Sequence, residues 1–303
     1  MEAWFQCRQL TKVLDGYCIR DIDFGLEAGR VLGLVGTNGS GKTTLLRCLL
    51  GSYRIGENEG DRGDIELDGK HFQRDQQEFR QSLACVMQAE PFYGLMSASE
   101  VGQRYGYFYR GFDLKKYMGL LKTYEVPARQ SISTLSAGQA MRLQFAFMQS
   151  HEAKLYILDE PVGNLDVEFR ETCYELIREL SSKGEKAVIL SSHLVTELER
   201  IADTLLWLYR EGDTGRQRYF GETDALRDRY RLLSTDRTRE ELQKSGIGEE
   251  MIAGCRLRPT HSEYLLYDAE GFSEERLRGT ELSGARCADL QEIIYYTEKG
   301  EER

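Results

Sequence analysis

Over the first thirty residues apolar and polar positions alternate, with Cys18, Ile19, Ile22, Phe24 and Leu26 in the apolar set. Such alternation predicts antiparallel strands. Ala28-Gly29 then turns the chain into VLGLV (Val31–Val35), short and wholly apolar, the pattern of a buried parallel strand. DIELDG (Asp64–Gly69) reads as a strand closing on an Asp-Gly turn, and Leu83–Met87 as another strand. From about Ser97 to Tyr124 the period becomes helical, placing Leu114, Tyr117, Met118, Leu121 and Tyr124 on one face. LYILD (Leu155–Asp159) predicts a second buried strand, followed by a helix with the stripe Phe169, Cys173, Leu176, Ile177 and Leu180. AVILS (Ala187–Ser191) leads into a helix expected to carry Leu194, Leu198, Ile201, Ala202 and Leu205. Strands alternating with helices predict an α/β fold with a mainly parallel sheet covered on both faces.

Beyond Gly221 the texture changes to a highly charged sequence with weaker patterns. YLLYD (Tyr264–Asp268) suggests a strand, and Cys287, Leu290, Ile293 and Ile294 suggest one face of a terminal helix. The organisation expected is therefore a main domain over 1–221 and a small appended domain over 222–303.

Composition narrows the classes. Of 303 residues, 41% are hydrophobic and 30% charged, a folded composition and not a disordered one. A net charge of −10 argues against nucleic acid as the partner. No run of about eighteen apolar residues is present, and MEAWFQCRQL lacks the apolar centre of a signal peptide. These features predict a cytoplasmic protein. The 7 cysteines form no CxxC pair and read as reduced, mostly buried small hydrophobes.

The chemistry concentrates in GTNGSGKTT, that is Gly36, Thr37, Asn38, Gly39, Ser40, Gly41, Lys42, Thr43 and Thr44. It contains G-x-x-x-x-G-K-[ST] between a predicted strand and a helix expected over Leu45–Leu50. Glycines let successive N–H groups curl around phosphate oxygens. Lys42 would neutralise the β- and γ-phosphates, and the Thr43 hydroxyl would ligate Mg²⁺. Asp159, at the end of an apolar strand, is placed to hold Mg²⁺ through water, and Glu160 to polarise an attacking water. Gln88 could reach Mg²⁺ or that water, or be a surface glutamine. His193 could contact the γ-phosphate, or cap the next helix. Asp166, in GNLD, could be an ordinary loop carboxylate. STLSAGQAMRL (Ser133–Leu143) offers a second anion site, since Ser136, Ala137, Gly138 and Gln139 lead into a helix N-terminus.

In this order the pieces resemble the nucleotide-binding subunit of an ATP-binding cassette (ABC) transporter, from about Phe5 to Gly221. GTNGSGKTT resembles the Walker A motif, Gln88 the Q-loop, LSAGQ the family signature and LYILDE the Walker B motif with its catalytic glutamate. NLD resembles the D-loop, and the His of SSHLVTELE the switch histidine. The resemblance implies a phosphate-loop NTPase with a parallel-sheet core, an N-terminal antiparallel β-subdomain and a helical subdomain at about 90–150. The Tyr/Phe cluster Tyr105–Phe112 would form the core of that subdomain. Three positions depart from the family pattern. Ala137 stands for a second Gly, Asn164 for a small residue, and the adenine-stacking aromatic is missing from its expected place near Leu14, with Tyr17, three residues later, the candidate to contact adenine in its stead.

The resemblance further implies ATP and Mg²⁺ as ligands, hydrolysis, and attachment to the inner face of the membrane through separate transmembrane permease subunits. Glu90–Asp113 and Cys287–Gly300 are similar to the ATPase chains of bacterial ABC-2-type exporters. The groove after Gln88 would receive a short cytoplasmic helix of the transmembrane partner. A second copy, bound head to tail, would complete each nucleotide site, with Ser136, Ala137, Gly138 and Gln139 of one chain facing Walker A of the other. The competing class is a soluble ABC ATPase acting on ribosomes or nucleic acid, which the single cassette and acidic charge disfavour. A binding-only cassette is disfavoured by the presence of Glu160 and His193.

Overall fold

The computed structural model describes residues 4–88, 92–163, 165–258, 261–268, 270–272, 281–299 and 301–302. They divide into two compact units, Met1–His193 with Ile201–Phe220, and Leu194–Arg200 with Gly221–Arg303. Asn164 and Glu90, singled out in the sequence, lie outside the described residues.

The first unit is built on a ten-stranded sheet. Strands β1 (Phe5–Leu14) and β2 (Tyr17–Leu26) pair antiparallel, as their alternation predicts. β3 (Val31–Val35) follows. β4 (Arg62–Leu67) lies antiparallel to β1 on its other side and turns into β5 (Lys70–His71). That turn uses Asp68 and Gly69 at φ 50° and 73°, the left-handed pair a tight hairpin requires. The parallel core adds β6 (Leu83–Val86), β7 (Leu155–Asp159), β8 (Ala187–Ser191) and β9 (Thr204–Glu211), with β3 between β8 and β9. β10 (Thr214–Glu222) runs parallel to β2 and joins the two halves in the order β5-β4-β1-β2-β10-β9-β3-β8-β7-β6. β3, β7 and β8 are buried from end to end, which is why their sequences are unbroken apolar runs.

Helices α1 (Lys42–Leu49), α2 (Gln76–Gln81), α3 (Ala98–Tyr105), α4 (Leu114–Thr123), α5 (Ala137–Met148), α6 (Val167–Ser182) and α7 (Val195–Ile201) fill the connections. Phe147 of α5 centres an aromatic cluster, with Phe112 at 5.0 Å and Tyr109 at 5.5 Å. At the end of β1 the buried Lys12 ammonium pairs with Asp61 at 2.7 Å. The same carboxylate accepts the Val13, Gly56 and Asn58 N–H groups, so it pins the loop before β4 to the strand end. Burial pushes the Asp61 carboxyl up, but Lys12 and the Val13 and Asn58 N–H groups outweigh it and hold it below its ordinary value.

The structure corrects several expectations. The helical stretch Ser97–Tyr124 is two helices: α3 begins on a Ser97–Glu100 capping box, and α4 restarts where Asp113 accepts the Lys116 N–H. Gly111, at φ 70°, lets the chain turn between them. On α4 only one edge packs inward, so Tyr117 and Leu121 are buried while Leu114 and Met118 are 40% and 37% exposed. Tyr107 and Phe108 are 86% and 68% exposed, so this part of the aromatic cluster is surface and not core. α7 stops at Ile201, and Leu205 lies in β9, whose Leu205–Leu208 run is buried beside β3. The helical spacing and the strand's apolar run overlap there, and the sheet claims the run. α1 starts at Lys42, a turn earlier than its apolar residues suggest, because Gly41 caps it.

The second unit has a five-stranded sheet containing Tyr230–Thr235, Ile252–Leu257, Ser262–Tyr267, Arg286–Cys287 and Glu301–Glu302. Ser262–Tyr267 holds most of the expected strand and pairs antiparallel with the first two. The helix Leu290–Lys299 buries Leu290, Ile293 and Ile294, while Cys287 is exposed in a strand and not on the helix face. α7 belongs to this unit, where Glu199 pairs with Arg227 at 2.8 Å. All seven thiols are free.

Candidate functional site

Gly36 follows the last residue of β3 and opens a loop in which Gly36, Gly39 and Gly41 have φ 146°, 79° and 103°. A Cβ on Gly36 would meet the Leu208 carbonyl oxygen at 2.1 Å, and one on Gly41 would meet Ile19 Cγ2 at 2.4 Å. Only glycine fits either place. The loop curls around the Lys42 ammonium, which donates to the Gly36 and Thr37 carbonyls at 2.6 and 3.2 Å. Gly41 caps α1 and brings no side-chain acceptor to its first turn. A helix start of this kind suits an anion. The Ser40 hydroxyl is buried there with no partner among the described residues.

Parallel strands bring their carboxyl ends to the same edge. β7 delivers Asp159, whose Oδ1 accepts the Ser191 hydroxyl at 2.6 Å from the end of β8. Glu160, at φ 50°, donates its N–H to the Ser191 carbonyl and hydroxyl oxygens at 3.2 and 3.1 Å. The carboxylate of this left-handed residue meets His193. Glu160 Oε2 lies 2.6 Å from His193 Nδ1 and accepts the His193 N–H at 3.2 Å.

One cavity of about 870 Å³ collects Tyr17, Asn38, Gly39, Gly41, Lys42, Thr43, Thr44, Gln88, Asp159, Glu160 and His193. Thr43, Gln88 and Asp159 offer hydroxyl, amide and carboxylate oxygens, a donor set that suits Mg²⁺. Tyr17 has its hydroxyl buried without a partner among the described residues. Burial pushes its phenol up, against the pull of the nearby Arg210 guanidinium.

Ser136, Ala137, Gly138, Gln139 and Asp166 do not line this cavity. Ser136 caps α5 in a reciprocal box with Gln139 at 3.2 and 3.0 Å, and it is exposed. Ala137 has no positive φ, so its Cβ is unstrained where the family has glycine. Asp166 caps α6 through the Phe169 N–H and pairs with Arg142. The Phe169 N–H first, then Arg142, holds its carboxyl below the ordinary range.

Residues 19–163 match the ABC transporter family. Over this stretch the chain is similar to ABC transporter ATPase cassettes. It is 26% identical to ABC transporter ATP-binding protein YtrB of Bacillus subtilis over 67% of this chain and 68% of the relative. It is 31% identical to Nod factor export ATP-binding protein I of Ralstonia nicotianae, over 64% of this chain and 58% of the relative. A solved dimeric ATP-binding cassette, in a post-hydrolysis state bound to ADP and Pi, shares the fold at 20% identity. Its TM-score is 0.60, and the match covers 72% of this chain and 98% of that one.

Three cassette residues went unread in the sequence. Ser191 positions Asp159 and Glu160 from β8, a role that only the SS pair before His193 could have suggested. Arg210 lines the cavity from the end of β9, with no motif to mark it. Buried Gln144 of α5 accepts the Met87 N–H at 2.8 Å and donates to the Met87 carbonyl at 3.0 Å. The helix headed by Ser136 is thereby fastened to the residue before Gln88.

Proposed function

We propose that this cassette hydrolyses Mg-ATP as a subunit of an ABC exporter, driving separate transmembrane permease subunits by closing on a second copy. The observation that carries hydrolysis is the Glu160–His193 contact of 2.6 Å inside the cavity that also holds Lys42, Thr43, Gln88 and Asp159. Bound Mg²⁺ would sit among Thr43, Gln88 and Asp159 and neutralise charge building on the transferred phosphate. Lys42 and the α1 N-terminus bind the β- and γ-phosphates. Glu160 orients the attacking water, and His193 holds that carboxylate and reads the γ-phosphate. ADP and phosphate are the products.

The outward-facing Ser136–Gln139 helix start, outside the chain's own cavity, supports a site completed by a second copy. The export-named relative supports the direction, and the dimeric cassette of similar fold supports the pairing. For the permease, the support is a groove of about 550 Å³ beside Gln88, lined by Arg47, Arg80, Cys85 and Tyr109, with exposed Tyr107 and Phe108 nearby in the chain. Among the described residues no helix is long and apolar enough to cross a membrane. The test is Glu160→Gln. Mg-ATP binding should persist while turnover falls ~10²–10⁴-fold, the range of general-base catalysis. A near-normal rate would remove Glu160 from its role.

A further inference from the structure

We propose that Arg210 carries the nucleotide base: its guanidinium, backed by the Tyr17 ring, is the stacking platform that the chain lacks at Leu14. The inference rests on the nucleotide reading of the cavity. Arg210 reaches that cavity from the end of β9. Its guanidinium carbon lies 5.9 Å from the centre of the Tyr17 ring, inside cation–π range. One terminal nitrogen stands 3.0 Å from where a Gly39 Cβ would be, so the group spans the gap between the phosphate loop and Tyr17. Its plane is held from behind. Nε donates to the Gly212 carbonyl at 2.7 Å, and the other terminal nitrogen donates to Asp213 at 3.2 Å.

Tyr17 cannot swing out to stack by itself. Its hydroxyl is buried, wedged 2.7 and 2.4 Å from where Cβ atoms on Gly41 and Gly215 would stand. Leu14, paired with Tyr17 across the β1–β2 turn, offers only an aliphatic surface. The phosphate end is already provided for by Lys42 and the α1 N-terminus. The flat, charged face of Arg210 is therefore left for the base. Stacking reads no base edge, so adenine and guanine should be held alike.

The test measures binding of Mg-ATP, Mg-GTP and Mg-tripolyphosphate to the full chain by calorimetry. Arg210→Ala should weaken ATP and GTP about tenfold and leave tripolyphosphate within about twofold, since only the nucleotides carry a base. Arg210→Lys keeps the charge without the plane and should match Arg210→Ala. Equal loss of tripolyphosphate, rescue by lysine, or unchanged ATP affinity would each overturn the assignment. Lys42→Ala separates the two levels: retention of all three ligands by that variant would sink the nucleotide reading itself.

Discussion

Gln144→Leu tests how the start of α5 is coupled to Gln88. Gln144 is 4% exposed, and both of its bonds go to one residue, Met87, at 2.8 and 3.0 Å. Leucine keeps most of the volume and removes both partners at once. A buried N–H or C=O left unpaired costs roughly 1–3 kcal/mol. Met87 is only half-buried, so water can reclaim part of that loss. The net expected is about 2 kcal/mol, towards the lower end of the two-group sum. Urea unfolding of the first unit reads this stability. ATP turnover reads the coupling, because Gln88 loses its tie to the helix that Ser136 caps. Turnover should fall several-fold with ATP affinity nearly unchanged. Stability within about 0.5 kcal/mol of the parent, together with unchanged turnover, would refute the reasoning.

Lys42→Ala should abolish productive ATP binding, as calorimetry would show, because its ammonium is the fixed positive charge held in the loop by the Gly36 and Thr37 carbonyls. Asp61→Asn should destabilise the chain by about 3–5 kcal/mol at neutral pH by leaving Lys12 buried and unpaired. The native Asp61 carboxyl is held below its ordinary value of 3.8, so its contribution is complete above that pH and is lost as pH falls through the lowered value. The gap between the two proteins should therefore narrow in acid denaturation at lower pH, and a constant gap would contradict the pairing. A chain ending at Phe220 should still bind ATP, because every cavity residue precedes it. A folded truncation that cannot bind would place part of the site in the second unit.

The parallel core was legible because these strands are buried on both sides, leaving no polar position before the last residue to blur the runs Val31–Val35, Leu155–Asp159 and Ala187–Ser191. The glycine loop was legible because a backbone collision at Gly36, and a left-handed φ with crowding by the Ile19 and Tyr17 side chains at Gly41, restrict those positions to one residue type. Legibility failed where one side chain has two possible hosts. Leu205 suits the spacing of α7 and the apolar run of β9, and only the neighbouring β3 decides between them. It failed again where function depends on tertiary placement. Arg210 looks like any strand-end arginine until β9 is seen beside β3. Gln144 looks like a misplaced polar residue in an apolar helix until Met87 is found opposite. Apart from Ser262–Tyr267, the second unit's strands stayed hidden because their alternation is interrupted by charge, as in Tyr230–Thr235 and Ile252–Leu257.

The central claim is that ATP joins two cassettes head to tail, each nucleotide held between Lys42 of one copy and the Ser136 helix start of the other. Light scattering on Glu160→Gln protein, separated by size with Mg-ATP or with ADP, tests it most directly. The expected result is a dimer with ATP and a monomer with ADP, because the γ-phosphate completes the contact. Adding Ser136→Arg, which fills the outward helix start with bulk and an unpaired positive charge, should leave a monomer that still binds ATP. A double variant that dimerises with ATP as well as Glu160→Gln alone would contradict the account.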